Sequence, residues 1–431
     1  MKKAVFAYFT ILCLLSTMLL MGLASNIHPV EASGTIHIEA DGTIDPSTAP
    51  ISTADNNTYT FTDNINESII VRRDNIVVDG TGYTLQGTGS GTGIILNGRG
   101  NVTIKNANIK NFEYGIWLRE SSNNSISENN IQTNEQHGIL LVHSSNNNIS
   151  TNTMENNAYG IRLYYCTDNS IFRNNITYNL SFGINLESSS HNRIFRNNIT
   201  KNGRYQPGSC PGIYLQQSKD NEIYHNNLVD NAPNASVQKM TTGSDGERVW
   251  HPNTWDDGYP SGGNYWSDYT GVDSNHDGIG DTPYIIDENN TDNYPFMGIF
   301  SDFNATSEYH VQTICNSTIS DFQFNGTAII FNVTGEDGTM GFCRTCIPTA
   351  VMNDTYTVLV NGTEVPFSLL PCSNSTHSYL YFSYSHSTQD VVIIPELPSV
   401  LIVPLLMTLT LGIAVLLKKR KLYMRKDSQL T

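Results

Sequence analysis

The chain has 431 residues, a length that points to two or three domains instead of one compact core. Its formal net charge is -16; setting aside Lys2, Lys3 and Glu31 at one end, and the six basic residues and Asp427 after Leu417, leaves 16 basic residues against 38 acidic, net -22, which argues against nucleic acid as a partner. Charged residues are only 15% of the chain while Asn, Ser, Thr and Gly abound, which disfavours a helical bundle and points to turn-rich β structure.

Lys2 and Lys3, an apolar run from Ala4 to Leu23 and a Val-x-Ala pattern ending at Ala32 predict a secretory signal over 1–32. The run is long for a signal, so an uncleaved anchor is the competing reading. Beyond it the spacing predicts an N-terminal cap and first coils over 33–100, β-helix repeats over 101–235 and an extension over 236–298.

The tetrad Gly-Ile-x-Leu recurs at Gly93, Gly115, Gly138, Gly160, Gly183 and Gly212, spaced by 22, 23, 22, 23 and 29 residues. Ile104, Ile126, Ile149, Ile171, Ile194 and Ile223 keep the same spacings, so both columns share one six-residue insertion, placed around Arg204 to Pro211. Each unit holds three short apolar patches separated by Asn and Ser, and none has a helical period. Coils stacked about 4.8 Å apart would set like on like and form one continuous interior, which predicts an all-β, right-handed parallel β-helix. Leucine-rich repeats of similar length need more leucine and a helical leg. Asn129, Asn152, Asn174, Asn197 and Asn226, and Asn134, Asn157, Asn179, Asn202 and Asn231, repeat in step; they read as ladders in which each Asn bonds to its counterpart in the next coil.

Period-two alternation points the middle residue of each tetrad outward: Ile95, Trp117, Leu140, Arg162, Asn185 and Tyr214. The next outward column is Asn97, Arg119, Val142, Tyr164, Glu187 and Gln216. Trp117, Arg119, Arg162, Tyr164 and Tyr214 are the candidate ligand-binding residues, because aromatic faces among polar groups suit sugar rings. The same aromatics could be plain ladder stabilisation, the reading preferred for Phe172, Phe195 and Tyr224. Arg173 and Arg196 stack one coil apart, and there a solvated surface is the preferred reading over an acidic sugar. The acids Glu120, Glu128, Glu135, Glu155 and Glu187 form no pair on one column at adjacent coils, and Asp256 and Asp257 lie beyond the repeats, so the carboxyl pair of a glycosidase is not legible.

After the coils, Asp273, Asn275, Asp277, Gly278 and Asp281 spell D-x-N-x-D-G-x-x-D, with Ile279 placed to offer a carbonyl and Asp268 as an additional ligand. Closely spaced oxygens around a Gly turn suit a structural calcium ion; the alternative is an acidic turn without one. Over 299–395, runs such as "TAIIFNVTG" and "YTVLVNGTEV", the latter turning at Asn361 and Gly362, predict a small β-sandwich. Its sequons at Asn304, Asn316, Asn325, Asn332, Asn353, Asn361 and Asn374 suggest glycosylation. Cys315, Cys343, Cys346 and Cys372 fall in the same segment, where disulfides are expected outside the cell; Cys343 and Cys346 have redox or zinc spacing, but no second such pair exists. Leu397 to Leu417 is apolar without a charge and is followed by Lys418, Lys419, Arg420 and Lys421, which predicts a C-terminal transmembrane helix over 397–417 and a cytoplasmic basic tail over 418–431.

The repeats, with "IVVDGTGYTLQGTG" at Ile76 to Gly89 and "GGNYWSDYTGVDSNHDGIGDTPYIID" at Gly262 to Asp287, resemble the NosD-type β-helix family over roughly Gly34 to Met297. The resemblance implies a pectin-lyase-like solenoid and membership of a group described by carbohydrate binding and sugar hydrolysis. Founding members are periplasmic proteins of copper-site maturation, but copper needs clustered Met, Cys or His, and His137, His143, His191 and His225 are scattered. The layout also looks like that of archaeal membrane-anchored surface proteins with a sandwich stalk. The expectation is therefore a single-pass cell-surface protein binding a polysaccharide or surface glycoprotein without catalysis. The alternatives are an extracellular polysaccharide lyase or glycoside hydrolase and, further off, a copper-site maturation factor.

Overall fold

A computed structural model describes residues 34–205, 208–238, 241–242, 248–249, 251–353 and 355–395. The expected signal over 1–32, the span over 397–417 and the tail over 418–431 lie outside the described residues, among which no helix is long and apolar enough to cross a membrane. The chain divides into two compact units, Met1–Ser274 with Ile279–Phe296, and Asn275–Gly278 with Met297–Thr431.

The first unit is a right-handed parallel β-solenoid of about eight turns, with a ten-stranded first sheet, a nine-stranded second and an eight-stranded third. One turn runs through Tyr114–Arg119 in the first sheet, Ser125–Ser127 in the second and Asn130–Gln132 in the third. The sequence columns are the pairing registers. Ile126 faces Ile149, Ile149 faces Ile171 and Ile171 faces Ile194 across the second sheet, and all four are fully buried. Three-residue strands have no stability of their own; stacking supplies it by burying each coil's isoleucines on the next.

The glycine column has a steric cause. A Cβ on Gly160 would lie 2.5 Å from the carbonyl oxygen of Gly183, one coil on, and 2.7 Å from Ile176 Cγ2 inside, so this position admits no side chain.

Both expected asparagine ladders are present. Asn129, Asn152, Asn174, Asn197, Asn226 and Asn264 each receive, on Oδ1, the backbone N–H of the residue before in the series. Asn134, Asn157, Asn179, Asn202 and Asn231 do the same. A third ladder, through Asn124, Asn147, Asn169, Asn192, Asn221, Asn253 and Asn290, was not anticipated. Each rung passes its backbone N–H and one Nδ2 hydrogen bond to the next asparagine, toward the C-terminal end of the solenoid, and there every ladder ends on a carboxylate. Asp287 accepts from Asn290 Nδ2 at 3.0 Å, Asp292 from Asn264 N at 2.7 Å and Asp268 from Asn234 Nδ2 at 2.7 Å. The "GGNYW" segment builds that end: a Cβ on Gly263 would strike Asp292 Oδ1 at 1.8 Å, and Trp266, 1% exposed, donates to Asp292. At the other end, the antiparallel pairs of Ile36–Ile38 with Ile44–Asp45 and of Ile51–Ser52 with Thr58–Phe61 cover the first coils, which blunts edges that would otherwise accept a further strand.

The second unit is a sandwich of two five-stranded antiparallel sheets. One runs Ile299–Asn304, His310–Cys315, Met340–Pro348, His377–Ser385, Phe367–Leu369; the other Thr318–Phe324, Ile329–Thr334, Gln389–Pro395, Tyr356–Val360, Thr363–Val365. The "YTVLVNGTEV" run is a hairpin turning at Asn361 and Gly362, both with positive φ. Phe331, Val358, Leu380, Phe382 and Ile393 fill the space between the sheets.

Candidate functional site

The outward faces of the second and third sheets are mostly Ser, Thr and Asn, whereas that of the first is not. Trp117, Leu140, Arg162, Asn185 and Tyr214 line up there in register, one per coil, as the alternation predicted. Their exposure differs from that expectation: Ile95 is 2%, Trp117 5%, Leu140 8% and Asn185 5% exposed. The middle column is thus sealed except at Arg162 and Tyr214, which are half-buried, and the rest of the open surface is carried by what flanks it.

On one side stands a column that the alternation missed. Tyr114, His137, Tyr159 and Phe182 each precede a tetrad glycine, and strict alternation assigns them inward. The alternation breaks at the glycine: a Cβ on Gly115 would meet Ile131 inside, and Ile116 next to it is also fully buried, so the residue before turns out. The recurring aromatic-Gly dipeptide was the available signal. The rings form a series, with centroids 5.3 Å apart from Tyr114 to His137, 4.7 Å from His137 to Tyr159, 5.2 Å from Tyr159 to Phe182 and 5.2 Å from Phe182 to Tyr214. Tyr114 also lies 5.3 Å from Trp117. On the other side Tyr164 and Tyr165 meet edge to face at 4.4 Å, and His143 stacks on Tyr165 at 5.1 Å.

Arg162 joins the two sides. Its Nη2 donates to Glu187 Oε2 at 2.7 Å and its Nη1 lies 3.3 Å from His137 Nε2, with the guanidinium 5.7 Å from the Tyr159 ring and 5.9 Å from that of Tyr164. A guanidinium only donates, so His137 Nε2 accepts and the proton sits on Nδ1. Burial, reinforced by Arg162, holds the His137 pKa well below the ordinary value, and the ring is neutral. Burial likewise pushes Tyr114 and Tyr164 up to about 12, so neither ionises near neutrality. Trp117 Nε1, His137 Nδ1, Arg162 Nε and Asn185 Oδ1 are buried without a hydrogen-bond partner, in contrast to the satisfied asparagine amides inside. Arg119 lies in the outward column of Val142, Tyr164 and Glu187, with Glu120 at 3.4 Å.

The structure therefore brings Trp117, Arg162, Tyr164 and Tyr214 onto one face and adds Tyr114, His137, Tyr159, Phe182 and Glu187. Glu187 is the acid of its column, and it is tied to Arg162. The second aromatic series, Phe172, Phe195 and Tyr224, stacks at 5.0 and 5.5 Å on another part of the surface.

In the acidic stretch, Asp281 Oδ2 accepts from Ser274 N at 2.9 Å, which lowers its pKa, and Asn275 Nδ2 donates to Asp277 Oδ2 at 3.2 Å. Ile279 bridges to Phe296 and Asp277 is buried. Asp268, expected as an additional ligand, instead accepts from Asn234 and, at 3.1 and 3.2 Å, from the Tyr284 hydroxyl. Among the described residues no group of three or more His, Cys, Asp and Glu is gathered as for a metal.

Residues 92–247 match the family model for a right-handed β-helix region. No curated protein matches the chain. Among solved structures, a double mutant of the periplasmic alginate epimerase AlgG is 17% identical with a TM-score of 0.32, over 43% of this chain and 44% of that one. The alginate lyase from Paenibacillus sp. str. FPU-7 is 15% identical with a TM-score of 0.30, over 48% and 88%. The Dettilon tailspike protein gp208 is 11% identical with a TM-score of 0.31, over 83% and 93%. The chain thus spans under half of the epimerase it matches.

Proposed function

We propose that the first-sheet face is a glycan-binding surface and that the protein binds a polysaccharide or surface glycoprotein without transforming it. The observation that carries this reading is the unbroken ring series from Tyr114 to Tyr214, with Arg162 bonded between His137 and Glu187 beside it. Because His137 stacks on Tyr159 and Phe182 on Tyr214, the series turns ring edges outward as an apolar ridge along which a sugar chain can lie, and half-buried tyrosine hydroxyls and Arg162 supply hydrogen bonds beside it. The test is binding of the full chain to a panel of neutral and acidic polysaccharides. Tyr159→Ala is expected to weaken binding about tenfold, the upper range of one ring contact; equal binding by wild type and variant, or no binding to any polysaccharide, would overturn the reading.

A second reading is an extracellular lyase or glycoside hydrolase, for which His137 would have to give up the contact of its Nε2 with Arg162 before it could take a proton. Product formation from any polysaccharide in the panel, abolished by His137→Ala, would put it first. A hydrolase is harder to build here, since it needs two carboxyl groups across the bond.

The proposal extends to placement and metal. We place the protein on the cell membrane through residues 397–417, with the solenoid outside; digestion of intact cells by an added protease should remove it. Asp273, Asn275, Asp277, Asp281 and the Ile279 carbonyl are proposed to hold calcium, which takes amide and carbonyl oxygens as readily as carboxylates. Calcium should raise the melting temperature of the wild type and not of Asp281→Ala.

A further inference from the structure

Four of the described cysteines lie in the sandwich, all as free thiols, and the sheet register discriminates among their pairings. Cys343 and Cys346 sit three residues apart on one strand, Met340–Pro348. Three residues of strand span about 10 Å, beyond the Cα separation that a disulfide bridges. Their side chains also face opposite ways: Cys343 packs in the inter-sheet core, whereas Cys346 lies against Tyr379. The redox or zinc spacing read from the sequence is therefore not a pair in space.

Cys315 and Cys343 are directly opposed on neighbouring antiparallel strands. Opposed residues in such a ladder have Cα atoms about 4.5–5.5 Å apart, inside the disulfide range. Both side chains lie in the inter-sheet core, 1% and 0% exposed. We propose that Cys315 and Cys343 close as a disulfide that staples strand His310–Cys315 to strand Met340–Pro348 inside the sandwich.

The chemistry is two successive exchanges. In the closed sandwich Cys343 Sγ donates to Arg344 O at 3.9 Å and the Tyr384 hydroxyl lies 3.2 Å from Cys315 Sγ, so both sulfurs are enclosed there. While the chain is still open, the Cys315 thiolate attacks one sulfur of a small disulfide oxidant such as oxidised glutathione and releases one thiol. Cys343 then attacks Cys315 Sγ in the mixed disulfide and expels the second thiol. The protein gives up two electrons and two protons, and the oxidant leaves as two thiols. Neither sulfur is reachable once the sheets have closed, so exchange belongs to folding.

The experiment refolds the reduced full chain in a buffer of oxidised and reduced glutathione, then denatures it with iodoacetamide and no reductant. Cleavage at Glu336 and Arg344 separates Cys315, Cys343 and Cys346 onto different peptides. The expected product is the Cys315 peptide joined to the Cys343 peptide, released by reductant; in Cys343→Ser, Cys315 should be recovered alkylated or as its mixed disulfide with glutathione, joined to no other peptide. Recovery of both cysteines alkylated from the wild type, or Cys315 joined to any other cysteine, would overturn the proposal. Because the oxidant is added, neither result depends on whether the chain is exported.

Discussion

The solenoid and the sandwich bury polar groups in different ways. In the solenoid one solution is copied from coil to coil: an asparagine amide accepts two N–H groups from the preceding coil and donates to the next asparagine and to a carbonyl of the preceding coil. In the sandwich the solution is local. Ser317 Oγ lies 2.7 Å from the Tyr384 hydroxyl and 2.8 Å from His386 Nε2, and Thr339 bonds the other ring nitrogen. A copied solution makes equivalent positions interchangeable, whereas a local cluster has no equivalents and its members act together.

The sharpest way to break this contrast is to charge a ladder rung. Asn174 Nδ2 donates to Ile149 O at 2.8 Å, Phe172 O at 3.1 Å and Asn197 Oδ1 at 3.0 Å. Asn174→Asp keeps the shape but turns a carboxylate toward three acceptors. The expected loss is roughly 3–5 kcal/mol, the usual cost of an uncompensated buried charge. Asn152→Asp and Asn197→Asp should match it within about 1 kcal/mol, since their contacts are the same. Calorimetric melting would check this; widely unequal losses would show that the rungs are not equivalent.

The ladder ends sharpen the contrast further, because there an aspartate stands where the interior demands an asparagine. Asp292 is fully buried, and burial raises its pKa from the ordinary 3.8 to about 7, against the pull of the donors from Asn264, Trp266 and Tyr294. A carboxyl whose folded value lies above its unfolded one binds its proton more tightly when folded. Its stabilisation is complete below about pH 4 and is lost as pH rises through 7, by up to about 4 kcal/mol. Asp79, which burial pushes up but Thr81, Asn106 and Lys105 together hold low, contributes in the opposite sense, and only as pH falls below its ordinary value. Melting followed from pH 4 to 8 should fall for the wild type and stay level for Asp292→Asn; a level wild type would show that the donors keep Asp292 ionised throughout.

These regions were unequally legible. The isoleucine columns and two of the ladders could be read because spacing alone identifies them, and the third ladder, through Asn124 and Asn147, obeys the same period and was open to the same count. The aromatic column was hidden because a rule of alternation fails at a glycine that turns two successive positions inward. The sealing of Trp117 and Leu140 follows from neighbours in three dimensions, which alternation cannot supply. In the sandwich the hairpin at Asn361 was visible in its turn residues, but the opposition of Cys315 and Cys343 is a matter of register between strands 28 residues apart, and no spacing encodes it.

The smallest expected effect separates a ring series that binds from one that only stabilises. Phe195 stacks on Phe172 at 5.0 Å and on Tyr224 at 5.5 Å, with the Arg193 guanidinium 5.1 Å from its ring. Tyr159 stacks on His137 and Phe182 at similar distances. Truncating either ring removes two ring contacts, so Phe195→Ala and Tyr159→Ala should each cost about 1–2 kcal/mol of stability. Only the second should reduce polysaccharide binding, because the Phe195 series lies away from Arg162, His137 and Glu187. If both variants lost binding equally, the ligand would be following stacked rings wherever the solenoid offers them, and the first-sheet face would have no special standing.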